Sequence, residues 1–504
     1  MSDGTARPLH VDVAVVGAGP AGATAAIAAC AAGARVVVVD EADAAGGQIW
    51  RRPALPRPVP ALDPRPDPRP DPGASTAGAA GAGPDRRRGD ALREALASSG
   101  AVPLLGVRLW SVLAIGGRFR LDGVGGDGPV SIDAARLVVA TGTSERVVPF
   151  AGWTTPGVVG LAATTILLKA FDTAPGRRTL VAGAGPLLAA VAAGIIAHGG
   201  TVAGIVDLNG RADWVRALPA LARQPALALK GAGWLAAVRR AGVPVWHRHA
   251  VRRAHGGKVL EAVEVGPVDP GGRPCGPTRA IAVDALAIGN GLSPGTEITR
   301  LLRAEHTFDR ARGGWHAVAG PSGATTIPGL YVAGDCAGVL GAEAAVRSGA
   351  AAGAAAAGGG HGGGGRGGGA GPRGRSVGAA MSRLTALRPA QVAAIADETV
   401  VCRCEDVTAG AIRTAVDAGA HDLNQMKHFN RCGMGPCQGR MCSDIAGEVM
   451  AIRLTGATDP ATLDRARTRI GQLTGRVPLR PVPLGQIIGS FDYDDIPVPP
   501  PAPL

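Results

Sequence analysis

Aromatic residues are scarce in this sequence of 504 residues, at 3% of the chain. Proteins that bind nucleic acids through a basic stripe usually interleave it with aromatic rings, and here the basic residues are scattered. We therefore expect no nucleic-acid partner, although the formal net charge is +12. A solvated surface accounts for this charge, and contact with an acidic partner protein or an anionic membrane remains an alternative.

A secretory signal is also missing. The opening residues, MSDGTARPLHVDV, contain no basic segment followed by an apolar one. Residues 13–34 are apolar enough to suggest a membrane helix, but the glycines and the proline in this run, and the motif they form, argue against one. We expect a cytoplasmic protein without transmembrane segments.

Length and composition indicate a globular protein of two to four domains, with 46% hydrophobic residues. Glycine (78 residues) and proline (40 residues) are frequent, and they are densest in two low-complexity segments. Residues 53–88 contain the repeat DPRPDPRPDPG and predict a disordered insertion. Residues 352–375 are rich in glycine and alanine and predict a flexible tether.

The most informative motif lies near the N-terminus. An apolar strand at residues 11–16 is followed by Gly17, Gly19 and Gly22, which open an Ala-rich helix. This order of elements predicts a dinucleotide cradle, with the pyrophosphate at the helix N-terminus. A second strand ends at Asp40, 23 residues after Gly17, where a carboxylate can accept the hydroxyls of an adenosine ribose.

Two later segments return to the same nucleotide. A strand ending in Ala140-Thr141-Gly142 and a strand followed by Gly334-Asp335 (GLYVAGDCAG) make the chain resemble the FAD domain of glutathione-reductase-like flavoproteins. The resemblance implies that Asp335 holds the ribityl chain of the flavin. The predicted FAD-site residues are Gly17, Gly19, Pro20, Ala21, Gly22, Asp40, Glu41, Gly47, Gln48, Thr141, Gly142, Gly334 and Asp335.

A second, weaker dinucleotide pattern spans residues 179–207. Gly183 and Gly185 follow a short strand, and Asp207 ends the next strand. Leu188 stands where a third glycine would allow close packing of helix and strand, which argues against tight pyrophosphate binding. An empty fold and a site filled by NAD(H) or ATP both remain open, and Asp207 favours NAD over NADP.

Five of the eight cysteines lie between residues 402 and 442. The spacings within VVCRCEDV and RCGMGPCQGRMC differ from those of zinc ribbons and bacterial ferredoxins, but thiolates from two loops suit a metal or iron-sulfur centre. The window resembles the bacterioferritin-associated-ferredoxin-like (BFD-like) [2Fe-2S] domain. That resemblance implies Cys402, Cys404, Cys437 and Cys442 as ligands and leaves Cys432 out.

Taken together, the chain resembles the FAD-containing subunit of hetero-oligomeric amino- and imino-acid dehydrogenases, a family that includes the A-type subunits of opine oxidases, the alpha subunits of dye-linked proline or hydroxyproline dehydrogenases and the B-type subunits of hydrogen cyanide synthases. We predict an α/β fold of glutathione-reductase type with two dinucleotide-binding domains, followed by a small helical domain. The predicted parts are an FAD-binding domain (8–160, with the insertion at about 53–88, and 284–351), a second NAD-like domain (161–283), a Gly-rich linker (352–380), the BFD-like domain (381–455) and a Pro-rich C-terminal extension (456–504).

The resemblance implies that a partner flavoprotein subunit oxidises the C–N bond of an amino acid, imino acid or opine to an imine. This chain would then relay the electrons to a one-electron or quinone acceptor, and a small ferredoxin-like subunit would be a further partner. The alternatives are a self-sufficient NAD(P)H-dependent flavin reductase and an ATP-binding structural subunit. No nucleophile and base are paired in the sequence and the histidines are scattered, so we assign no catalytic residue.

Overall fold

The computed structural model describes residues 8–53, 84–358 and 372–486. Three parts follow one another along the chain: an FAD-type domain made from two segments, a second parallel-sheet domain inserted between those segments, and a mainly helical C-terminal part. The first segment contains β1 (Leu9–Val16), α1 (Pro20–Ala31), β2 (Val36–Asp40), α2 (Pro84–Ala97), β3 (Val102–Leu105), β4 (Arg108–Ile115), β5 (Arg118–Gly125), β6 (Gly128–Val139) and β7 (Thr143–Glu145).

The inserted domain follows. It contains β8 (Val158–Gly160), α3 (Leu161–Phe171), β9 (Arg178–Gly183), α4 (Leu187–Ala197), β10 (Thr201–Asp207), α5 (Arg211–Leu221), α6 (Pro225–Arg240), β11 (Val245–His247), β12 (His249–His255), β13 (Ala262–Pro267), β14 (Arg279–Ala282), β15 (Ala285–Gly289) and β16 (Leu292–Pro294). The chain then returns to the first domain with α7 (Glu297–Leu301), β17 (His306–Asp309), β18 (Gly314–Ala317), β19 (Leu330–Val332) and α8 (Ala342–Gly358).

The C-terminal part completes the described chain. It contains α9 (Pro372–Leu384), α10 (Pro389–Ala393), β20 (Val400–Cys402), β21 (Val407–Thr408), α11 (Ala409–Asp417), α12 (Leu423–Asn430), α13 (Ser443–Thr455) and α14 (Pro460–Ile470). In the described residues, no helix is both long and apolar enough to cross a membrane.

The first sheet has the strand order β3-β2-β1-β6-β5-β4, with β19 paired to β6. Strands β1, β2, β3, β6 and β19 run parallel, whereas β4, β5 and β6 form an antiparallel meander. The second sheet is entirely parallel, in the order β11-β10-β9-β15-β8. The predicted fold class, two parallel-sheet nucleotide domains followed by a helical domain, is confirmed.

Helices α1 and α8 pack closely because both consist mainly of alanine and glycine. A Cβ atom at Gly349 or Gly353 of α8 would overlap the main-chain oxygens of Ala21 and Ala25 in α1. This contact corrects the sequence interpretation at the start of the predicted linker (352–380), where residues 352–358 belong to α8. Helix α8 continues to Gly358 and α9 begins at Pro372, because the alanines favour a helix and the small residues let it dock.

The other low-complexity segment needs a smaller correction. Helix α2 begins at Pro84, inside the stretch predicted to be disordered up to residue 88. Its Leu96 is buried in the core with α1, and this burial stabilises a helix that composition alone does not suggest. Residues 54–83, residues 359–371 of the tether and the Pro-rich end after residue 486 lie outside the described residues.

Candidate functional site

The first glycine motif forms a turn between β1 and α1. Gly17 adopts a φ of +100°, and a Cβ there would overlap the main-chain oxygen of Ala140. A Cβ at Gly22 would overlap the oxygen of Gly17. A Cβ at Gly19, by contrast, would meet only the Cα of Gly47, at 3.8 Å. Packing therefore requires the first and third glycines, while the second leaves the helix N-terminus open to an approaching pyrophosphate.

Asp40 lies at the end of β2 beside this turn. Its Oδ2 accepts the amide hydrogen of Ala18 at 2.5 Å, and its Oδ1 accepts that of Ala42 at 2.8 Å. Burial raises the pKa of Asp40, and these two amide hydrogen bonds oppose the shift. A carboxylate offers about four acceptor positions, so two remain for ribose hydroxyls. The neighbouring Glu41 is exposed.

Two loops lie close to the glycine turn. The amide of Gly46 donates to the oxygen of Ala18 at 2.8 Å, which places Gly47 against Gly19 and leaves Gln48 exposed. Thr141, at the end of β6, is exposed, and its hydroxyl donates to the oxygen of Gly295 at 2.9 Å. The structure thus brings the predicted loops to the same edge of the sheet as the pyrophosphate turn.

Asp335 reaches this edge from the returning segment. Its Oδ1 accepts the amides of Leu340 and Gly341, both at 2.9 Å, and its Oδ2 accepts no hydrogen bond from the described residues. Burial raises the pKa of this carboxyl group. A half-buried carboxylate with a free oxygen suits a hydroxyl donor such as the ribityl chain. With the open space at Gly19, it shows that the residues present fit FAD.

The second glycine motif has a different environment. Gly183 has a φ of +130° and lies against the main-chain oxygen of Gly289. The position of a Cβ at Gly185 is taken by the methyl group of Thr385, which follows α9. Leu188 is 3% exposed in the core between α4 and its sheet. The space that a pyrophosphate would need at Gly185 is therefore occupied by the chain itself.

Asp207 is likewise engaged within the protein. It is 3% exposed and accepts hydrogen bonds from the amide and side chain of Asn209, at 2.9 and 3.1 Å, and from the indole of Trp214, at 2.7 Å. His247 Nδ1 lies 3.3 Å from its Oδ2, and the hydrogen bond to Asp207 raises the pKa of that histidine. Both carboxylate oxygens are in use, which argues against binding of a ribose diol.

A pocket of about 180 Å³ remains at the carboxyl end of the second sheet. Gly183, Leu208 and Asn290 form one side, and Ala394 and Ile395, just after α10, form another. Cofactor pockets usually measure about 300–1,000 Å³. The C-terminal part of the chain thus covers the second nucleotide motif and leaves less room than a dinucleotide needs.

The cysteine-rich window forms one compact site. The hairpin β20–β21 carries Cys402 and Cys404, and the loop before α13 carries the other three thiols. The ligand atoms of Cys402, Cys432 and Cys442 all lie within 4.8 Å of one another, and all three residues are buried. Hydrogen bonds from Cys432 and Cys442 hold the pKa of Cys402 far below its usual value, and a thiolate is the form that binds metal.

Cys404 and Cys437 lie together on the outer side of this site. Cys404 is exposed and Cys437 is half-buried; burial raises the pKa of Cys404, and Cys437 is among the neighbours that influence it. Gly435 contacts Cys404 so closely that a Cβ would overlap the cysteine's own Cβ. The predicted ligands thus divide into an inner and an outer pair, which fits the four thiolates of a [2Fe-2S] cluster. Cys432 joins the inner group, although the predicted ligand set leaves it out.

An ion-pair network connects the cysteine site to the FAD-type domain. Its central residue lies two positions after Cys442. There Asp444 forms ion pairs with Arg146 Nε at 2.6 Å and with Arg467 Nη2 at 2.7 Å. Burial raises the pKa of Asp444, but the two guanidinium groups outweigh burial and hold it well below its usual range. Arg146 is only 3% exposed and directly follows β7, the strand that begins just after Thr141-Gly142.

Three further titratable side chains, Cys336, His306 and His316, have structural roles. Cys336 is buried and donates to the oxygens of Val139 and Ala333, and burial raises the pKa of its thiol to about 11. Burial lowers the pKa of both His306 and His316 to about 4, so both are neutral near pH 7. Cys336 and His316 are fully buried, and His306 is half-buried.

Two family profiles match the chain. The pyridine nucleotide-disulphide oxidoreductase profile matches residues 11–358, and the sarcosine oxidase A3 domain profile matches residues 396–490. The A-type subunit of opine oxidase from Agrobacterium tumefaciens (strain Ach5) is 31% identical over 495 residues, which cover 94% of this chain and 91% of that protein. Hydrogen cyanide synthase subunit HcnB of Pseudomonas aeruginosa is 31% identical over 489 residues, which cover 93% of this chain and 96% of that protein.

Solved structures show the same fold. The crystal structure of L-proline dehydrogenase from P. horikoshii aligns with 95% of this chain and 80% of its own, with a TM-score of 0.64 and 21% identity. At this identity the likeness concerns the fold alone. Its coverage extends through the two sheet domains and the C-terminal part.

Proposed function

Because the chain belongs to the pyridine nucleotide-disulphide oxidoreductase family and is an FAD-dependent oxidoreductase, we propose that it is the electron-relay subunit of a complex that oxidises an amino acid, imino acid or opine. Membership of this family implies FAD. The relatives are named as subunits: the A-type subunit of opine oxidase, the HcnB subunit of hydrogen cyanide synthase, and the alpha subunit of sarcosine oxidase from Rhizobium meliloti, 28% identical over 350 residues. Partner subunits are therefore expected.

The proposal assigns substrate oxidation to a partner flavoprotein subunit. That partner would convert the C–N bond to an imine, and a small ferredoxin-like subunit is a further candidate partner. We assign no catalytic residue to this chain: the hydroxyl of Thr299 lies 2.8 Å from His306 Nε2, but Thr299 is 2% exposed and its hydroxyl also donates to the oxygen of Thr296. The electron acceptor would be a one-electron carrier or a quinone.

Two cofactors would share the transfer. FAD can accept two electrons as a hydride and release them singly, whereas a [2Fe-2S] cluster carries one electron at a time. Asp40 and Asp335 would hold the hydroxyls of FAD, and Gly19 would leave room for its pyrophosphate. Cys402 and Cys442 on the inner side, with Cys404 and Cys437 on the outer side, would hold the cluster.

The observation that carries this proposal is the connection between the two sites. Five residues lead from Thr141, at the FAD edge, to Arg146, and Arg146 pairs with Asp444 beside Cys442. Trp153 adds a second contact, because its indole donates to the oxygen of Val400 at 2.7 Å, at the start of the cysteine hairpin. Trp153 packs in the core of the inserted domain, so Arg146 and Trp153 together hold the cysteine site against both sheet domains.

The second nucleotide motif favours this proposal over a self-sufficient NAD(P)H-dependent reductase. Thr385 lies where a pyrophosphate would approach Gly185, and Asp207 has committed both oxygens to Asn209 and Trp214. The same contacts argue against ATP at this motif. We propose that the second domain is retained as a platform for the C-terminal part.

Anaerobic visible spectra of the purified chain test the proposal. We expect flavin bands together with a broad iron-sulfur absorption, two iron atoms per chain and extractable FAD. Added NADH should leave the flavin oxidised, whereas dithionite should bleach it. Rapid bleaching by NADH would favour the self-sufficient NAD(P)H-dependent reductase instead. A preparation that contains FAD but no iron would refute the proposed electron relay.

A control variant separates loss of the cluster from loss of the fold. Cys404→Ser removes an outer thiol, whereas Cys275→Ser changes an exposed cysteine in a distant loop. We expect the first variant to lose the iron-sulfur absorption while keeping its FAD, and the second to keep both. If Cys404→Ser retains full iron and an unchanged spectrum, the assignment of the ligands is wrong.

A further inference from the structure

A small polar pocket lies between the FAD-type domain and the cysteine domain. It measures about 60 Å³, and its walls come from both domains. Thr296, Arg300 and Trp315 contribute from one side, and Arg440 and Gln472 from the other. This volume accommodates a few waters or one small anion, but not a nucleotide.

Around the pocket, one arginine has no carboxylate partner among the described residues. A chain of ion pairs runs through three arginines and three carboxylates and is balanced in charge: Arg146, Asp444, Arg467, Glu448, Arg310 and Asp464. Arg440 pairs with Glu297 at 2.6 Å. Arg300 forms no ion pair with any carboxylate of the described residues, although it lines the same pocket.

Four buried nitrogens of side chains that line the pocket have no hydrogen-bond acceptor among the described residues: the Nε atoms of Arg300, Arg440 and Arg467 and the indole nitrogen of Trp315. Arg300 donates through Nη1 to the oxygen of Leu473 at 2.6 Å, but its buried Nε has no partner among the described residues. The same holds for the buried indole nitrogen of Trp315. Glu297 contributes a negative charge nearby, but Arg440 contributes a second positive one. The pocket therefore has unsatisfied donors, and among the arginines and carboxylates named here the cations exceed the anions by one.

We propose that this pocket binds a small monovalent anion, a halide or a one-carbon carboxylate such as formate, against Arg300 and Trp315. Water could satisfy the free donors, but it would leave the guanidinium charge uncompensated, and an unpaired buried charge is costly. A monovalent anion supplies both the acceptor and the missing charge. It would also join the two domains, because Arg300 and Arg440 approach it from opposite sides.

Bromide is a suitable probe because its anomalous scattering distinguishes it from water. Crystals of the full chain with its cofactors, soaked in sodium bromide, should show an anomalous peak in the pocket. In solution, bromide should raise the Tm saturably relative to gluconate at equal ionic strength, by about 2–4 °C, which corresponds to about 1 kcal/mol for a large domain.

Variants assign the effect to the pocket. Arg300→Met removes the charge and should abolish the bromide-dependent rise in Tm. Arg303→Met removes an exposed arginine just after the same helix and should retain the rise. If Arg300→Met does not fold, the anomalous map of the wild-type protein still shows whether bromide binds in the pocket. A pocket without an anomalous peak, or equal Tm values in bromide and gluconate, would overturn the proposal.

Discussion

Replacing Arg146 by methionine should loosen the cysteine domain from the FAD-type domain. The guanidinium is 3% exposed, pairs with Asp444 at 2.6 Å and also donates to the oxygen of Gly313 at 2.6 Å. Removing one partner of a buried ion pair costs about 3–5 kcal/mol because the other charge is left buried. Asp444 keeps Arg467 as a partner, so we expect the lower end of that range, about 3 kcal/mol.

Thermal unfolding measures this cost. At about 2–4 °C per kcal/mol for a large domain, the Tm of Arg146→Met should fall by roughly 6–12 °C. The matched control is Arg453→Met, which breaks an ion pair with Asp417 in which both side chains are 50% exposed. Such surface pairs contribute about 0–1 kcal/mol. If both variants lose the same few degrees, the buried pair does not anchor the cysteine domain.

Three further predictions follow from single contacts. Gly349→Leu should separate α8 from α1, because its Cβ would overlap the main-chain oxygen of Ala21, and the variant should retain less FAD after gel filtration. Burial raises the pKa of Glu145 from 4.5 to about 7, so the folded state holds this proton more tightly than the unfolded state does. Stability should therefore fall as the pH rises from about 4.5 to 7 and stay level above that, and Glu145→Gln should remove this fall from a plot of Tm against pH. Burial lowers the pKa of His306 to about 4, so its contribution should be complete above pH 6.5 and decline towards pH 4, and His306→Gln should make that acid limb of the same plot less steep, while His316 still contributes to it.

Much of the fold can be predicted from local patterns of apolar residues and glycines in the sequence. Apolar runs bounded by glycine and acid, such as residues 11–40, predict the parallel strands because both faces of such a sheet are buried. The glycine spacing predicts the FAD turn, because Gly17 and Gly22 have no room for a side chain. These requirements are local, so a single sequence shows them.

The contacts between distant segments are less visible in the sequence. Composition suggests that residues 352–358 are a tether, but they form the end of α8, because its small residues match those of α1. The inner thiol group is a similar case. The spacing of the cysteines cannot show that the turns of the loop after Arg431 bring Cys432 beside Cys402.

The second nucleotide motif shows why such contacts matter for function. Its glycines and Asp207 suggest a cofactor site, and only the position of Thr385 and the hydrogen bonds from Trp214 reveal that the chain covers it. Thr385 follows α9, and Leu384 of that helix packs against Ala217 and Ala220 of α5. The segment that covers the motif therefore also leads into the cysteine domain, so opening the motif to NADH would disturb the position of the cysteine site. In the relay that we propose, the second domain keeps its nucleotide fold while the electrons come from a partner protein.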